Sequence, residues 1–182
     1  MTTPATDRVE VLHQSKYLRL VKRGRWEFVE RTKTSGIVMI VPITAKREVI
    51  LIEQTRVAVG GKVIEFPAGL AGDSDVFEGE GLIDAARREL LEETGYTARK
   101  FIHMTEGPPT AGLSAEIITV FVATGIKKTG PGGGDGHEDI VVHLVPLRGI
   151  HRWLANKRKQ GSIIDLKIWG GLHFAQRALK QK

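Results

Sequence analysis

The sequence predicts an α+β fold: a mixed β-sheet flanked by helices, with a small antiparallel β appendage at the N-terminus. Three observations carry this expectation. Many short runs either alternate apolar and polar residues or are continuously apolar, as strands do. Helical patterns are few and come late in the chain. Strands and helices do not alternate one for one, which argues against a doubly wound parallel sheet.

The elements follow in order. "VEVLHQ" (9–14), "LRLVKRG" (18–24) and "RWEFVERT" (25–32) alternate, and Lys22–Arg25 around Gly24 suits a hairpin turn. "SGIVMIVPIT" (35–44) is continuously apolar, as a strand covered on both faces would be. "REVILIEQTR" (47–56) and "KVIEF" (62–66) read as further strands, and "PAGLAGDSDVFEGE" (67–80) as a loop marked by Pro67, Gly69, Gly72 and Gly79. A helix is expected over 82–94, with Gly95 as a left-handed C-terminal cap. Ile83, Ala86 and Leu90 form its apolar stripe, and Glu89, Glu92 and Glu93 fall on another arc. "KFIHMTEG" (100–107), "AEIITVFVATGIK" (115–127) and "IVVHLVPL" (140–147) are strands, separated by a Pro–Pro loop and by the glycine-rich "KTGPGGGDGHED" (128–139). Helical segments are expected at about 148–159 and 165–180. The division is an N-terminal β region at 1–34 and a main domain at 35–182.

The composition is that of an ordinary globular protein: 182 residues, 41% hydrophobic and 26% charged. No apolar run approaches the ~18 residues of a membrane span. "MTTPATDRVEVLHQ" lacks the apolar core of a signal peptide, so a cytoplasmic location and no membrane partner are expected. With no cysteine, thiolate–metal sites and disulfides are excluded. A net charge of +6 favours anionic partners without identifying one. The basic run "NKRKQG" (156–161) has no interleaved aromatics and reads as a solvated helix end. The histidines show no metal-ligand spacing.

"RRELLEETGYTA" (87–98) carries the chemistry. Glutamates at 89, 92 and 93 lie at i, i+3 and i+4, where like charges repel. A solvated helix face relieved by Arg87 and Arg88 would tolerate this. A hard-cation site would use it, because Mg²⁺ takes a few carboxylates together with substrate phosphates. Upstream, Glu80 precedes Arg88 with seven residues between.

Glu80 together with "RELLEETGY" resembles the Nudix box of the Nudix hydrolases, and the expected architecture becomes the Nudix α/β/α sandwich. The resemblance implies that Glu89, Glu92 and Glu93 bind divalent metal and that Arg88 orients the cluster by a salt bridge. The implied cofactor is Mg²⁺, with Mn²⁺ as a substitute, as two or three ions. The family pattern places a glycine before the glutamate matching Glu80 with five residues between them, yet serine stands at that position, 74. Gly69 is the natural match, with a five-residue insertion in the loop that follows.

"EQTRVAVGGKVIEFPAGL" (53–70) resembles the ADP-ribose/ADP-sugar pyrophosphatase branch. That resemblance implies a metal contact from the Ala68 carbonyl and a diphosphate contact from Arg56. "GRWEFVERT" (24–32) is similar to the branch's N-terminal segment, implying base stacking by Trp26, phosphate contact by Arg31, and a homodimer, domain-swapped or not. "PPTAGLSAE" (108–116) resembles a sugar-side loop, with Leu113 and Ser114 as contacts. The glycine-rich loop would close over the diphosphate, with Glu138 as general base or metal ligand. Asp135, Asp139 or a box glutamate such as Glu92 remain alternatives for the base. The implied reaction is hydrolysis of a nucleoside diphosphate sugar to a nucleoside monophosphate and a sugar phosphate. GDP-mannose-type sugars stay open because stacking accepts guanine. Nucleoside triphosphates or dinucleotides on the same box are a further alternative. A non-catalytic nucleotide- or RNA-binding module is disfavoured because the box is intact, so no nucleic acid partner is expected.

Overall fold

The computed structural model describes residues 8–73, 76–134, 136 and 139–180. β1 (Val9–Gln14), β2 (Leu18–Arg23) and β3 (Trp26–Arg31) form a three-stranded antiparallel sheet. Its second hairpin turns at Gly24, whose φ of 61° suits a residue without a Cβ.

The main sheet contains β4 (Gly36–Ile43), β5 (Glu48–Arg56), β6 (Gly61–Glu65), β7 (Ala68–Ala71), β9 (Lys100–Gly107), β10 (Ile118–Thr124), β12 (Val141–Pro146) and β13 (Ile163–Ile164). A short ladder of β8 (Tyr96–Thr97) and β11 (Lys127–Lys128) stands apart. The main order is β13-β6-β5-β4-β10-β9, with β12 on β5 and β7 on β4. β4 and β10 are parallel and every other pairing within the sheet except β13–β6 is antiparallel.

One irregularity organises the site. β4 and β5 pair only at Ile43 and Val49, and then diverge. β6 stays with β5, whereas β7 stays with β4. The chain over 61–71 therefore crosses from one leaf of the sheet to the other. Phe66 and Pro67 make the crossing, and the Pro67 carbonyl accepts the Ile40 N–H at 2.8 Å. Proline has no N–H to leave unpaired at such a break. Ala68 and Gly69 are delivered to the inner edge of the split.

Three helices cover the sheet: α1 (Leu82–Thr94), α2 (Ile150–Lys159) and α3 (Lys167–Lys180). One core packs Met39, Val41, Leu51, Val122 and their neighbours against Leu154 of α2 and Ile168, Leu172 and Ala175 of α3. The other packs Val38, Ile40, Phe121 and Ala123 against Ala85, Ala86 and Leu90 of α1. The alternation of β4 residues between the two cores is the period-two pattern of a strand buried on both faces. Among the described residues, no helix is long and apolar enough to cross a membrane.

Three local expectations are corrected. The segment 67–80 is not all loop, because Ala68–Ala71 pairs with Gly36–Met39. The strand expected over 115–127 is shorter: it ends at Thr124, and Gly125, with φ 70°, turns the chain into β11. The buried face of α1 uses Ala85 rather than Ile83, which is exposed, and it includes Glu93.

α3 lies so close to the crossing that a Cβ at Gly171 would sit 2.2 Å from the Phe66 ring. Gly171→Ala is therefore expected to destabilise the fold by about 1–3 kcal/mol through overpacking. A lower urea midpoint at unchanged m-value would show it.

Candidate active site

α1 positions the site. Its apolar residues face the sheet, and Gly95, at φ 71°, closes it by donating its N–H to the Leu91 carbonyl at 2.7 Å. Arg88 projects from the middle of the helix and uses its guanidinium in every direction. Nε and Nη2 grip both oxygens of Glu80, each at 3.0 Å. Nη1 bonds Glu89 at 2.8 Å and Glu92 at 3.0 Å. Nη2 also donates to the Leu70 carbonyl on β7 at 2.9 Å. The Phe77 ring lies 4.2 Å from the guanidinium carbon. These hydrogen bonds, Glu80's first, hold the Arg88 pKa above its ordinary value against the opposing effect of burial.

The carboxylates are not equivalent. Burial pushes the Glu89 carboxyl up to about 7; Arg88 opposes this, and Glu92 and Asp73 add to it. Its close neighbour is Gly69, where a Cβ would fall 2.0 Å from the Glu89 carboxyl carbon. Only glycine leaves room for that carboxylate. Glu93 is 3% exposed and accepts the Ala68 N–H at 3.0 Å. Glu92 is the most open of the three. The two leaves of the sheet and α1 thus meet at Ala68, Gly69, Glu89 and Glu93.

The donors present fit a hard divalent cation. They are all oxygens: Glu80, Glu89 and Glu92 share one guanidinium, and Glu93 follows Glu92 on α1, held by the Ala68 amide. Glu92 and Asp73 add to the raised proton affinity of Glu89, beneath the larger effect of burial. Among the described residues, no three acidic or histidine side chains already converge as a cage. Glu89 and Glu92 are turned onto Arg88, and Glu93 onto the Ala68 amide.

The glycine-rich loop is anchored at this end of the helix. The N–H groups of Gly133 and Gly134 donate to the carbonyls of Glu93 and Glu92 at 2.9 and 3.0 Å. A Cβ at Gly132 would lie 2.4 Å from the Thr94 carbonyl carbon, so the approach requires glycine. Asp135 and Glu138, which the sequence singled out for this loop, lie outside the described residues. Asp139 is exposed and reaches Lys62 at 3.7 Å.

The expected substrate residues are dispersed. Arg56 donates from Nε to Glu65 at 2.7 Å. Burial raises the Glu65 pKa and Arg56 opposes it. Arg31 bonds Glu116 at 2.7 Å. It lines a cavity of about 430 Å³ together with Lys16, Tyr17, Thr32, Lys33, Leu70 and Asp73. Leu70 and Asp73 tie that cavity to the carboxylate cluster. Lys16, Tyr17, Lys33 and Asp73 escaped the sequence reading, since only the docking of the N-terminal sheet beside β7 gathers them. The 110–116 loop adds to β3: Val29 donates to the Leu113 carbonyl at 2.9 Å, and Ala115 donates to Val29 at 3.1 Å. Ser114 faces Thr110 hydroxyl to hydroxyl at 3.1 Å, and the Leu113 side chain is exposed. Trp26 is 66% exposed, with Arg25 over its ring. It opens β3 whereas Arg31 closes it, about 17 Å apart at ~3.3 Å per residue. Within one chain the two thus stand at opposite ends of β3.

A glutamate-bearing helix locked by a central arginine, set over the split of a mixed sheet, is the arrangement of a Nudix domain. A model of the NUDIX domain matches residues 33–165, and the chain belongs to the Nudix hydrolase family. It is 33% identical over 156 residues to the methanol dehydrogenase activator of Bacillus methanolicus, covering 84% of this chain and 80% of that one. It is 30% identical over 172 residues to the ADP-ribose pyrophosphatase of Escherichia coli strain K12, covering 87% and 76%. A crystal structure of an ADP compounds hydrolase shares the fold, with a TM-score of 0.70 over 96% of this chain and 92% of that one at 23% identity.

Two predictions follow from the cluster. Gly69→Ala should displace Glu89 and lower kcat at least about tenfold, on the scale of displaced catalytic groups. Circular dichroism should show the fold retained. The second concerns pH. The folded Glu89 holds its proton up to about 7, against 4.5 for an unperturbed glutamate. Its stabilising contribution is full below pH 4.5 and lost as pH rises to 7. Metal-free protein should therefore lose thermal stability across that window, and Glu89→Gln should flatten the loss.

Proposed function

We propose that this protein hydrolyses the diphosphate bond of ADP-ribose or a related nucleoside diphosphate sugar, giving a nucleoside monophosphate and a sugar phosphate. The observation that carries the reading is the adjacency of two sites of opposite charge. The Arg88-locked carboxylates adjoin a cavity that presents Lys16, Arg31 and Lys33. Such a pairing suits a diphosphate bridged between cations of the protein and ions held by its glutamates. The pyrophosphatase among the relatives supports the same substrate class.

Glu89, Glu92, Glu93 and the Ala68 carbonyl would hold Mg²⁺, which when bound neutralises the diphosphate and acidifies a water for attack at phosphorus. The chain's own groups do the rest. Arg88 keeps Glu89 and Glu92 oriented through its two Nη1 bonds. Arg56 exchanges its bond to Glu65 for phosphate oxygens, and Arg31 exchanges Glu116 in the same way. Glu138 on the glycine-rich loop takes the proton, or Glu92, the most open of the three glutamates at 89, 92 and 93, does so. Leu113 and Ser114 line the sugar side.

The protein acts as a cytoplasmic homodimer in this reading. The N-terminal sheet supports the dimer by exposing apolar side chains on both faces, Leu18 and Leu20 on one and Val11 and Trp26 on the other, which an exchange of this sheet between subunits would cover. Trp26 then stacks on the base of a substrate bound by the partner subunit.

The activity is tested with a panel of ADP-ribose, ADP-glucose, GDP-mannose, ATP and diadenosine polyphosphates with Mg²⁺, products being resolved by chromatography. Nucleoside diphosphate sugars should be cleaved to monophosphates. Turnover of triphosphates or dinucleotides alone would refute the assignment. For the dimer, light scattering should give twice the 20.0 kDa chain mass. Leu18→Asp with Leu20→Asp should return it to the monomer.

A further inference from the structure

The far end of the main sheet carries a second concentration of charge. A cavity of about 460 Å³ brings together Lys46 and Arg47 from the β4–β5 turn, Arg148 from the β12–α2 connection, and Gln176 and Lys180 from α3. Three segments distant in sequence thus contribute four cations to one concavity, and among the described residues no carboxylate lines it. Among the described residues, none of these four side chains makes an ion pair. The neighbouring Glu48 is turned onto the Thr44 hydroxyl at 3.0 Å. Uncompensated like charges repel, and their gathering at one point calls for an anion.

The backbone supports the same conclusion. Arg47 is the one non-glycine residue with positive φ among the described residues, at 61°. Its N–H closes the turn onto the Thr44 carbonyl at 3.0 Å, the place in a short hairpin where glycine is favoured. Its own carbonyl accepts the Leu147 N–H at 3.0 Å, which fixes the turn beside Arg148. An arginine is held in a conformation that glycine would adopt without strain, and it lines the cavity. The volume lies in the range of small-ligand sites. The cavity adjoins the start of β5, whereas Arg56 ends that strand about 25 Å away at ~3.3 Å per residue.

We propose that this cavity binds the phosphate chain of a compact oligophosphate, at a site separate from the carboxylate cluster. Four cations match the charge of a triphosphate, and the fork of Arg47 and Arg148 suits adjacent phosphoryl oxygens.

The test is calorimetric titration of inorganic tripolyphosphate into the full chain in EDTA. An Arg31→Ala/Arg56→Ala background removes the arginines placed at the diphosphate. A single equivalent should bind. Arg148→Glu/Lys180→Glu should weaken binding at least about tenfold, the equivalent of losing one charge-assisted contact. Arg47→Gly should also weaken it while leaving the melting temperature unchanged or raised. Arg152→Glu/Arg158→Glu, on the exposed face of α2, should leave the affinity within about twofold. The proposal is overturned if tripolyphosphate does not bind, if the two double reversals weaken binding equally, or if single-stranded RNA binds through Arg148 and Lys180 where tripolyphosphate does not. Because no metal and no turnover are involved, these outcomes are independent of whether nucleoside diphosphate sugars are the substrate.

Discussion

The Arg88 guanidinium is the contact on which the rest of the site depends. It engages three glutamates and one strand carbonyl, and these partners belong to the loop before α1, to α1 itself and to β7. A buried carboxylate is costly unless paired, and one left without its partner typically destabilises by about 3–5 kcal/mol. Here a single side chain offsets several such costs at once. It does so incompletely, as the raised Glu89 pKa shows. The cluster is therefore stable enough to fold, yet retains negative charge for a cation to neutralise.

The sheet supplies the place where this can happen. Had β4 and β5 paired along their length, no gap would exist for Ala68 and Gly69 to enter. Their divergence beyond Ile43 and Val49 lets one extended segment serve both leaves. The Ala68 amide and the Gly69 Cα are then presented to α1 at hydrogen-bonding and van der Waals range. Rigid strands hold these backbone atoms, while the charged groups come from the helix.

Much of this was legible in the sequence where the determinants are local. The bounds of α1 and its glycine cap follow from neighbouring residues, and Glu80 and Arg88 are only eight residues apart in the chain. What stayed hidden depends on contacts between distant segments. "AGLA" carries no strand signal of its own, and pairing with Gly36–Met39 makes it β7. Gly125 interrupts an otherwise persuasive strand pattern because a positive φ redirects the chain there. The burial of Glu93 could have been read from its spacing, since 86, 90 and 93 share one helical arc. Its charge argued for the surface, and the Ala68 amide offsets that argument. The cavity of Lys16, Tyr17 and Lys33 had no local signature at all. The role of Glu138 rests on resemblance alone.

The loop between β7 and α1 has a further consequence. Ser35 holds both of its ends: its N–H donates to the Ala71 carbonyl at 2.8 Å, and its hydroxyl to the Glu80 carbonyl at 3.4 Å. Gly69 and Glu80, which meet Glu89 and Arg88, flank that clasp. Lengthening a loop whose two ends are held costs little extra entropy, so the count of residues between them is only weakly constrained. What the fold fixes is a distance in space between a glycine and a glutamate, whatever the count of residues separating them. A search of genomes for a rigid motif of fixed gap would pass over chains like this one, whereas a search that lets the gap float would recover them.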